Sequence, residues 1–372
     1  MTKFSRSGPI AAAALCALTA GAASAQDFTS ANGDTVHFYG QLNLGYLGFD
    51  DGQDTDNAFG NVGNSTSRLG FTLDHDADIG AVRFRFETGL GLGSTGSFSQ
   101  SGDDPEVIDW NRRQLRKLEV VLTNDYGVFS VGQGSMATDG AGGLDDSGTT
   151  LAGTKSFGDV AGSYLFRNAD GTLSSLSVSD VFHNTDGSRR MRVRYDTPEY
   201  YGFTVGAAYG REVLAEDNDN DYYDAAVNWA GDVGDFKIKA SVGANWVDQA
   251  DDAGTEKTGV ASATIMHASG VNLTLAGGGD FNSSGDWEYA KLGYTTASWT
   301  QVGETSVAVE YLETDDYGVE GARGEAWGLL LTQKIKPLNA EAYVGYRHYD
   351  VSAPGASFQD AQSLLIGSRW SF

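Results

Sequence analysis

Three arginines alternate with apolar residues along one short segment of the chain. Arg190, Arg192 and Arg194 are separated by Met191 and Val193, and alternate residues of a β-strand lie on the same face. An arginine costs about 2–4 kcal/mol at the midplane on the lipid face of a membrane barrel. The segment therefore predicts a strand whose arginine face is in contact with water.

A second charged segment has the spacing of a cation-binding loop. Asp217, Asp219 and Asp221 alternate with asparagines, as the carboxylates of calcium loops do. The sixth position is Tyr222 instead of glycine and the twelfth is Asn228 instead of glutamate, which argues against an EF-hand. The pattern favours a solvated acidic loop. The alternative is a weak surface calcium site that could bridge to lipopolysaccharide.

The histidine and serine residues of the sequence lack the spacing that is typical of catalytic sites. The five histidines are scattered without the spacing of metal ligands, and the sequence contains no Gly-x-Ser-x-Gly motif. A membrane-barrel hydrolase would need serine and histidine on neighbouring strands, and we identify no such pair. The sequence therefore predicts a protein that is not an enzyme, with no cofactor apart from the alternative of surface calcium.

Residues 1–25 have the features of a secretion signal. A basic start and a short apolar run precede small residues at 23–25, which predicts cleavage before Gln26. The single cysteine, Cys16, lies in this segment, so the mature chain would contain no disulfide. Removing the two basic residues at positions 3 and 6 changes the formal net charge from −25 to −27. This acidity argues against a nucleic-acid partner and predicts that cations are enriched near the protein.

The sequence pattern around these charged residues predicts a long series of β-strands. Apolar and polar residues alternate over segments of about ten residues, which suit a tilted crossing of a bilayer. Short turns alternate with long acidic loops, as in a barrel whose two ends face different compartments. We predict sixteen strands, or eighteen if residues 172–182 belong to an extra hairpin. The tryptophans expected in the interfacial girdles are Trp246, Trp287, Trp299, Trp327 and Trp370.

The last strand supports a closed barrel. Leu364, Ile366, Trp370 and Phe372 share one face of residues 361–372, and the last strand of a barrel must pair with the first. Sixteen strands leave an aqueous channel. The opposite face of the strands carries Arg, Lys, Glu, Asn, Gly and Ser, which cannot pack as a dry core. We therefore expect a membrane β-barrel with a water-filled lumen.

Four stretches in this order resemble the Gram-negative general porins. They are HFYGQLNLGYLG at 37–48, SRLGFTLDHDADIGAVRFRFETG at 67–89, SRRMRVRYDTPEYYGF at 188–203 and the terminal Trp370-Ser371-Phe372. The resemblance implies a sixteen-stranded outer-membrane barrel over residues 26–372, usually a homotrimer among outer-membrane lipid. It implies that loop 135–188 folds into the lumen, and that the barrel-assembly machinery recognises the strand ending in Trp370 and Phe372.

The resemblance also implies a set of residues at the pore constriction. Arg68 matches an arginine that the family often places on the wall, whereas Gln133 stands where a second arginine is common. The family's usual loop motif is absent, and we expect Asp145 and Asp146 to face the arginines instead. The full expected set is Arg68, Arg83, Arg85, Gln133, Asp145, Asp146, Arg190, Arg192 and Arg194.

These features together predict a channel for passive diffusion of ions and small hydrophilic solutes. The acidic net charge predicts weak cation selectivity. The alternative is a solute-specific channel on the same scaffold, for which a dense arginine ladder would be the sign. A purely structural barrel would instead have a plugged lumen.

Overall fold

The computed structural model describes residues 26–31, 33–102, 104–250 and 253–372. The expected signal at 1–25 lies outside these ranges. Within them, no helix is long and apolar enough to span a membrane. The strands are β1 (Gln26–Thr29), β2 (Thr35–Asp50), β3 (Thr55–Asn61), β4 (Arg68–Ala77), β5 (Gly80–Gly89), β6 (Leu115–Asn124), β7 (Gly127–Ser135), β8 (Leu165–Arg167), β9 (Leu173–Ser177), β10 (Arg189–Asp196), β11 (Phe203–Arg211), β12 (Asp221–Val233), β13 (Phe236–Gln249), β14 (Gly254–His267), β15 (Val271–Asp280), β16 (Asp286–Thr296), β17 (Thr305–Asp315), β18 (Arg323–Ile335), β19 (Ala340–Ala353), β20 (Ala356–Ser357) and β21 (Ala361–Ser371). The helices α1 (Gly158–Ala161) and α2 (Val178–Val181) are single turns.

Sixteen antiparallel strands close into a barrel, as the sequence predicts. They are β2, the broken strand β3–β4, then β5, β6, β7, β10 to β19 and β21. The barrel closes where β2 pairs with β21 from Gln41–Ser371 to Asp50–Gln362. The backbone amide of Phe372 donates to Gly40 and that of Gly40 donates to Phe372, both at 3.0 Å. The first and last strands of the barrel therefore pair with each other and close the sheet.

The second barrel strand is broken, which the sequence pattern does not predict. A 3-10 turn at Gly63–Ser65 separates β3 from β4, and β2 pairs with both pieces. The alternation of apolar and polar residues predicts only the β4 piece, because the turn interrupts the period. The break places residues 63–67 against the lumen instead of in the sheet.

The connections have the predicted asymmetry. At one end the turns are short, and Gly234 between β12 and β13 has a φ of 59°, a conformation that glycine adopts readily. At the other end lie the long loops, including 90–114 and 136–188. We call residues 136–188 the central loop.

The alternative with eighteen strands is wrong. Residues 172–182 contain β9, but β9 pairs only with β8 in a separate two-stranded sheet. The capping box of Ser177 and Asp180 then starts α2 at Val178. Val178, Val181 and Phe182 are almost fully buried. The segment turns away from the barrel wall because its apolar residues pack inside the lumen.

The expected folding of the central loop into the lumen is confirmed, and the loop fills more of the lumen than a simple constriction requires. The central loop has an apolar core that packs on the inner wall of one sector of the barrel. The loop contributes Leu151, Phe157, Val160, Tyr164, Phe166, Leu176 and Phe182, and the wall contributes Leu47, Phe49, Leu312, Leu330, Tyr343, Tyr349 and Leu365. Trp287 belongs to this core at 1% exposure instead of to an interfacial girdle. Water is left only in the sector that the central loop does not fill.

Candidate functional site

The narrow part of the open sector lies between the central loop and the wall formed by β4, β6 and β10. A cavity of about 650 Å³ is lined by Arg68, Arg116, Arg189 and Asp159. Helix α1 carries Asp159, and the turn at Gly63 packs directly on it: any side chain at Gly63 would collide with the carbonyl oxygen of Asp159. The broken strand and the central loop together form this constriction.

The break in the second strand supplies hydrogen-bond acceptors for arginines from three strands. Arg68 Nη1 donates to the Thr66 carbonyl oxygen at 3.4 Å, and Arg116 Nη1 donates to Thr66 Oγ1 at 3.2 Å. Arg369 Nη1, from the closing strand β21, donates to Ser65 Oγ at 3.3 Å. Three positively charged guanidinium groups therefore lie beside Ser65 and Thr66.

The carboxylates near these arginines lie mostly behind them. Glu87 is 5% exposed and accepts hydrogen bonds from Arg116 Nε at 2.6 Å and from Tyr39 Oη at 3.0 Å. It lies 3.8 Å from Arg68. Glu341 accepts from Arg369 Nε at 2.9 Å. The buried acids hold the guanidinium groups in place, and the guanidinium groups face the water.

A second cavity of about 510 Å³, lined by three acidic and three basic side chains, lies nearer the short-turn end. Its lining includes Arg83, Arg85 and Lys117. Arg83 pairs with Asp74 at 2.5 Å, and Arg85 Nη1 lies 3.3 Å from Glu119. Arg83 and Arg85 therefore face the lumen, as expected, but below the constriction.

Of the arginines expected at the constriction, only Arg68 lines the cavity there. Arg192 is 5% exposed, pairs with Glu119 and donates to the Ser135 carbonyl oxygen at 3.0 Å. Arg194 donates to the Met136 carbonyl oxygen at 2.6 Å. Arg190 pairs with Glu212 at 3.4 Å and packs on a tyrosine ring. These three arginines hold the beginning of the central loop and its neighbouring strands, and their expected role at the constriction stays a prediction.

The acids expected to face the arginines face lysines. Asp145 accepts from Lys291 Nζ at 2.8 Å, and Asp146 accepts from Lys239 Nζ at 2.7 Å. Both lysines belong to the wall opposite the arginine side. The two acids anchor the central loop, because they reach the wall that its apolar core covers.

The expected place of Gln133 at the constriction stays a prediction. In the sheet it stands opposite Leu118 and Met191, which are both more than a third exposed on the outer face. The lumen-facing Arg192 stands opposite Gly132 instead. Gln133 is itself 3% exposed. Its burial contrasts with the exposure of Leu118 and Met191, and the adjacent Gly132 has a φ of 122°, so the register alone does not decide which face it occupies.

Sequence reasoning missed Arg116, Arg189, Arg369 and Asp159. A register shift between β5 and β6 at Glu87 and Thr88 breaks the alternation, which hides the lumen-facing position of Arg116. Arg369 carried a usable signal, because it lies on the face of the last strand opposite Trp370 and Phe372. Asp159 had none, since its position depends on the fold of the central loop.

The calcium prediction gains no support from the geometry. Asp221 binds Arg211 with both carboxylate oxygens, at 2.5 and 2.8 Å. In the described part of the chain, no three acidic, histidine or cysteine residues are grouped to hold a metal ion. A weak site at Asp217, Asp219 and Asp221 stays a prediction.

A buried ion pair fastens the hairpin β8–β9 to the loop between β2 and β3. Arg167 Nε and Nη2 donate to the two oxygens of Asp51 at 2.9 and 2.6 Å. Asp51 is 1% exposed. Burial would raise the pKa of Asp51, but hydrogen bonds from Arg167 and from the amides of residues 53 and 54 hold it below its ordinary value. We call this pair the hairpin clasp.

We expect Asp51→Asn to loosen the hairpin β8–β9. Breaking a buried pair costs about 3–5 kcal/mol. At 1.4 kcal/mol per factor of ten, amide hydrogen exchange in Leu173–Ser177 should become faster by about a hundredfold or more. The matched control is Asp54→Asn, because Asp54 also reaches Arg167, at 3.3 Å, but is 75% exposed. Equal exchange in the two variants would show that the clasp does not hold the hairpin.

The clasp also has an expected pH dependence. Because the pKa of Asp51 is lowered in the folded state, its stabilisation is complete above the ordinary aspartate value of about 3.9. It is lost only as the pH falls through the lower folded-state value. After correction for intrinsic rates, exchange in the hairpin should be the same at pH 5 and pH 7. A rise at pH 5 would contradict this assignment.

Comparisons with known proteins agree with this architecture. A family model for Gram-negative porins matches residues 11–354. The outer-membrane OmpT of Vibrio cholerae is 17% identical, with a TM-score of 0.56 over 93% of this chain and 100% of that one. An anion-selective porin from Comamonas acidovorans is 14% identical, with a TM-score of 0.56 over 91% and 100%. OprB of Pseudomonas putida is 10% identical, with a TM-score of 0.61 over 91% and 94%. No curated protein matches the sequence.

Proposed function

The chain belongs to the Gram-negative porin family and forms an outer-membrane channel, and from this premise we propose how the channel works. It lets ions and small hydrophilic solutes diffuse through the open sector of the lumen. The observation that carries this proposal is the pair of polar cavities along one wall of the lumen, one at Arg68 and Arg116 and the other at Arg83 and Arg85. Glu87 lines the second cavity and pairs with Arg116 of the first. Family membership favours a channel without catalytic activity, as the sequence also predicts.

Two opposing charge distributions bear on ion selectivity. The acidic net charge predicts weak cation selectivity, but at physiological salt a charge acts over only about 8 Å. Ions in the constriction lie beside Arg68, Arg116 and Arg189, with one exposed carboxylate, Asp159. We propose that these arginines outweigh the distant acids of the outer loops. The channel then conducts both signs with a weak preference for anions.

The outer surface supports a homotrimer. Strands β4 to β7 contain neither tyrosine nor tryptophan. Elsewhere the outer wall carries a girdle of half-exposed aromatic residues, which are Tyr209, Tyr223, Trp246, Tyr311 and Trp327. Aromatic girdles mark the lipid–water boundary. We therefore propose that β4 to β7 face other copies of the chain, and that the rest of the wall faces lipid and lipopolysaccharide.

The remaining proposals concern export and assembly. Residues 1–25 act as a cleaved signal, and the mature chain starts at Gln26. The pairing of Phe372 with Gly40 supports a role for Trp370 and Phe372 in insertion by the barrel-assembly machinery, because this strand completes the barrel.

Bilayer recordings of refolded residues 26–372 test the channel, its selectivity and its oligomeric state. We expect ohmic conductance that appears in groups of three equal steps. Under a potassium chloride gradient, the reversal potential should have the sign of weak anion selectivity. The opposite sign would restore the cation preference that the net charge predicts. An absence of steps from correctly folded protein would refute the open passage.

A further inference from the structure

We propose that residues 140–148 of the central loop form a gate over the polar inner wall of β13 to β17. We call these residues the strap. The strap moves away from the wall while the rest of the central loop stays in place, which gives the passage a second, wider state. This inference rests on the proposed diffusion function and adds a moving part to it.

The strap differs from the rest of the central loop in how it is attached. Residues 151–182 supply most of the apolar core of the loop. Among the strap residues, all of which the structure describes, only Ala141 belongs to this core, and positions 140, 142, 143 and 148 are glycines. A segment with few buried apolar contacts opens more readily than a packed core.

Polar contacts hold the strap to the wall. The amide of Leu144 donates to Ser262 Oγ at 3.2 Å, and Thr295 Oγ1 donates to the Ser147 carbonyl oxygen at 2.9 Å. The remaining links are the ion pairs that the two aspartates of the strap form with lysines. Water can replace hydrogen bonds of this kind when the strap lifts, so their net contribution to the closed position is modest.

The wall beneath the strap is polar although it is buried. Thr264 binds the strap at the amide of Asp146, and Asn272 lies on β15, between the strands that carry Thr264 and Thr295. Asn272 is 1% exposed, and neither atom of its amide group has a hydrogen-bond partner among the described residues. A buried amide without a partner is unfavourable. This part of the wall is therefore better matched to water than to a loop that never moves.

The two ends of the strap can act as hinges. Gly140 has a φ of 94° and Gly148 a φ of 74°, a region that glycine adopts without strain. Before the strap, Thr138 donates to Asp224 from its amide and from its hydroxyl, both at 2.7 Å. After the strap, Leu151 belongs to the apolar core. The strap therefore moves between two anchored points.

Apolar contacts in the middle of the strap favour the closed position. A β-carbon at Gly142 would lie 2.6 Å from Val260 Cγ2 and 3.2 Å from the ring of Trp287, so the strap covers both side chains closely. Opening exposes them to water, which costs free energy. We therefore expect the wider state to be a minor one.

Single-channel recordings of refolded residues 26–372 test the gate. The intact channel should visit a second, higher conductance level briefly. Asp145→Asn should raise the fraction of time at that level by at least about tenfold, because breaking its buried pair with Lys291 destabilises the closed position. The matched control is Asp248→Asn, which removes the same charge from the outer end of β13 and should leave the fraction unchanged. Equal fractions in the two variants would overturn the gate.

Asn272→Val should have the opposite effect. It should lower the fraction about tenfold, because it removes an amide that lacks a partner while the strap is closed. The matched control is Thr274→Val on the same strand, since Thr274 Oγ1 already donates to Thr264 Oγ1 at 3.0 Å. A merely structural role of Asn272 would change barrel stability but not the proportion of the two levels, and that result would overturn the gate.

A disulfide can lock the strap. Residues 26–372 contain no cysteine, so an introduced pair forms one disulfide. A β-carbon at Gly148 would lie 3.1 Å from that of Ser306, close to the separation that a disulfide spans. In Gly148→Cys with Ser306→Cys, oxidation should remove the higher level and dithiothreitol should restore it, whereas each single variant should show both levels throughout. A higher level that persists in the oxidised double variant, or one fixed level in every conducting variant, would overturn the gate and leave the diffusion function standing.

Discussion

Removing residues 140–186 should raise the single-channel conductance several-fold and admit sugars that the intact channel excludes. The central loop fills one sector of the lumen with apolar side chains, and without it sixteen strands enclose a wide aqueous channel. The two ends of the excised segment already meet: a side chain at Gly187 would touch Thr138 and Asp139. Two glycines can therefore join residue 139 to residue 187 without distorting the barrel.

The matched control for this deletion removes residues 214–219 from the loop between β11 and β12. These residues lie at the outer rim, away from the core of the central loop, so conductance should stay close to that of the intact protein. Bilayer recordings and liposome swelling with sugars of increasing size would measure both variants. Unchanged conductance after removal of 140–186, in a barrel of normal stability, would mean that the central loop does not limit the passage.

Replacing Glu310 with alanine should strongly destabilise the protein. Glu310 is 1% exposed and accepts hydrogen bonds from Arg347 Nε and from Tyr289 Oη, both at 2.8 Å. Its loss leaves the buried Arg347 without a carboxylate, and breaking such a pair costs about 3–5 kcal/mol. Arg347 also donates to the Thr154 carbonyl oxygen at 2.7 Å. The variant should therefore loosen the central loop as well.

Urea unfolding in lipid vesicles, followed by tryptophan fluorescence, would measure the free energy of unfolding. The control is Glu313→Ala on the same strand, where the pair with Arg323 is solvent-accessible and should contribute no more than about 1 kcal/mol. Channel recordings of Glu310→Ala should show noisier current, because the central loop would move. Equal stability of the two variants would show that the buried network is not a major support of the loop.

The barrel could be predicted from the sequence because its signals are local. Residues 361–372 show their two faces by alternation alone, and the expected closure of the first and last strands is confirmed by the pairing of β2 with β21. The same reasoning finds Arg83 and Arg85 on the lumen face. Each of these predictions depends only on residues two apart in the sequence.

The constriction could not be predicted in the same way. Arg116 is displaced by a register shift, and Ser65 and Thr66 bind arginines only because the second strand breaks at Gly63. The apolar residues of the central loop follow no strand period, and their partners lie on strands far along the chain. Alternation placed Arg192 and Arg194 correctly on the inner face, but it could not show that carbonyl groups of residues 135 and 136 would engage them.

The packing of the central loop also constrains the order in which parts of the protein fold. Three hydrogen bonds join residues that are far apart in the sequence. Tyr343 donates to Asn43, 300 residues away, Arg347 to Thr154, 193 residues away, and Gln359 to Asn168, 191 residues away. Contacts between such distant residues form slowly, because the intervening chain must first be ordered. The apolar core takes side chains from β2 at the beginning of the barrel and from β21 at its end. The central loop can therefore consolidate only after the barrel has closed, and its apolar side chains stay exposed until that last step.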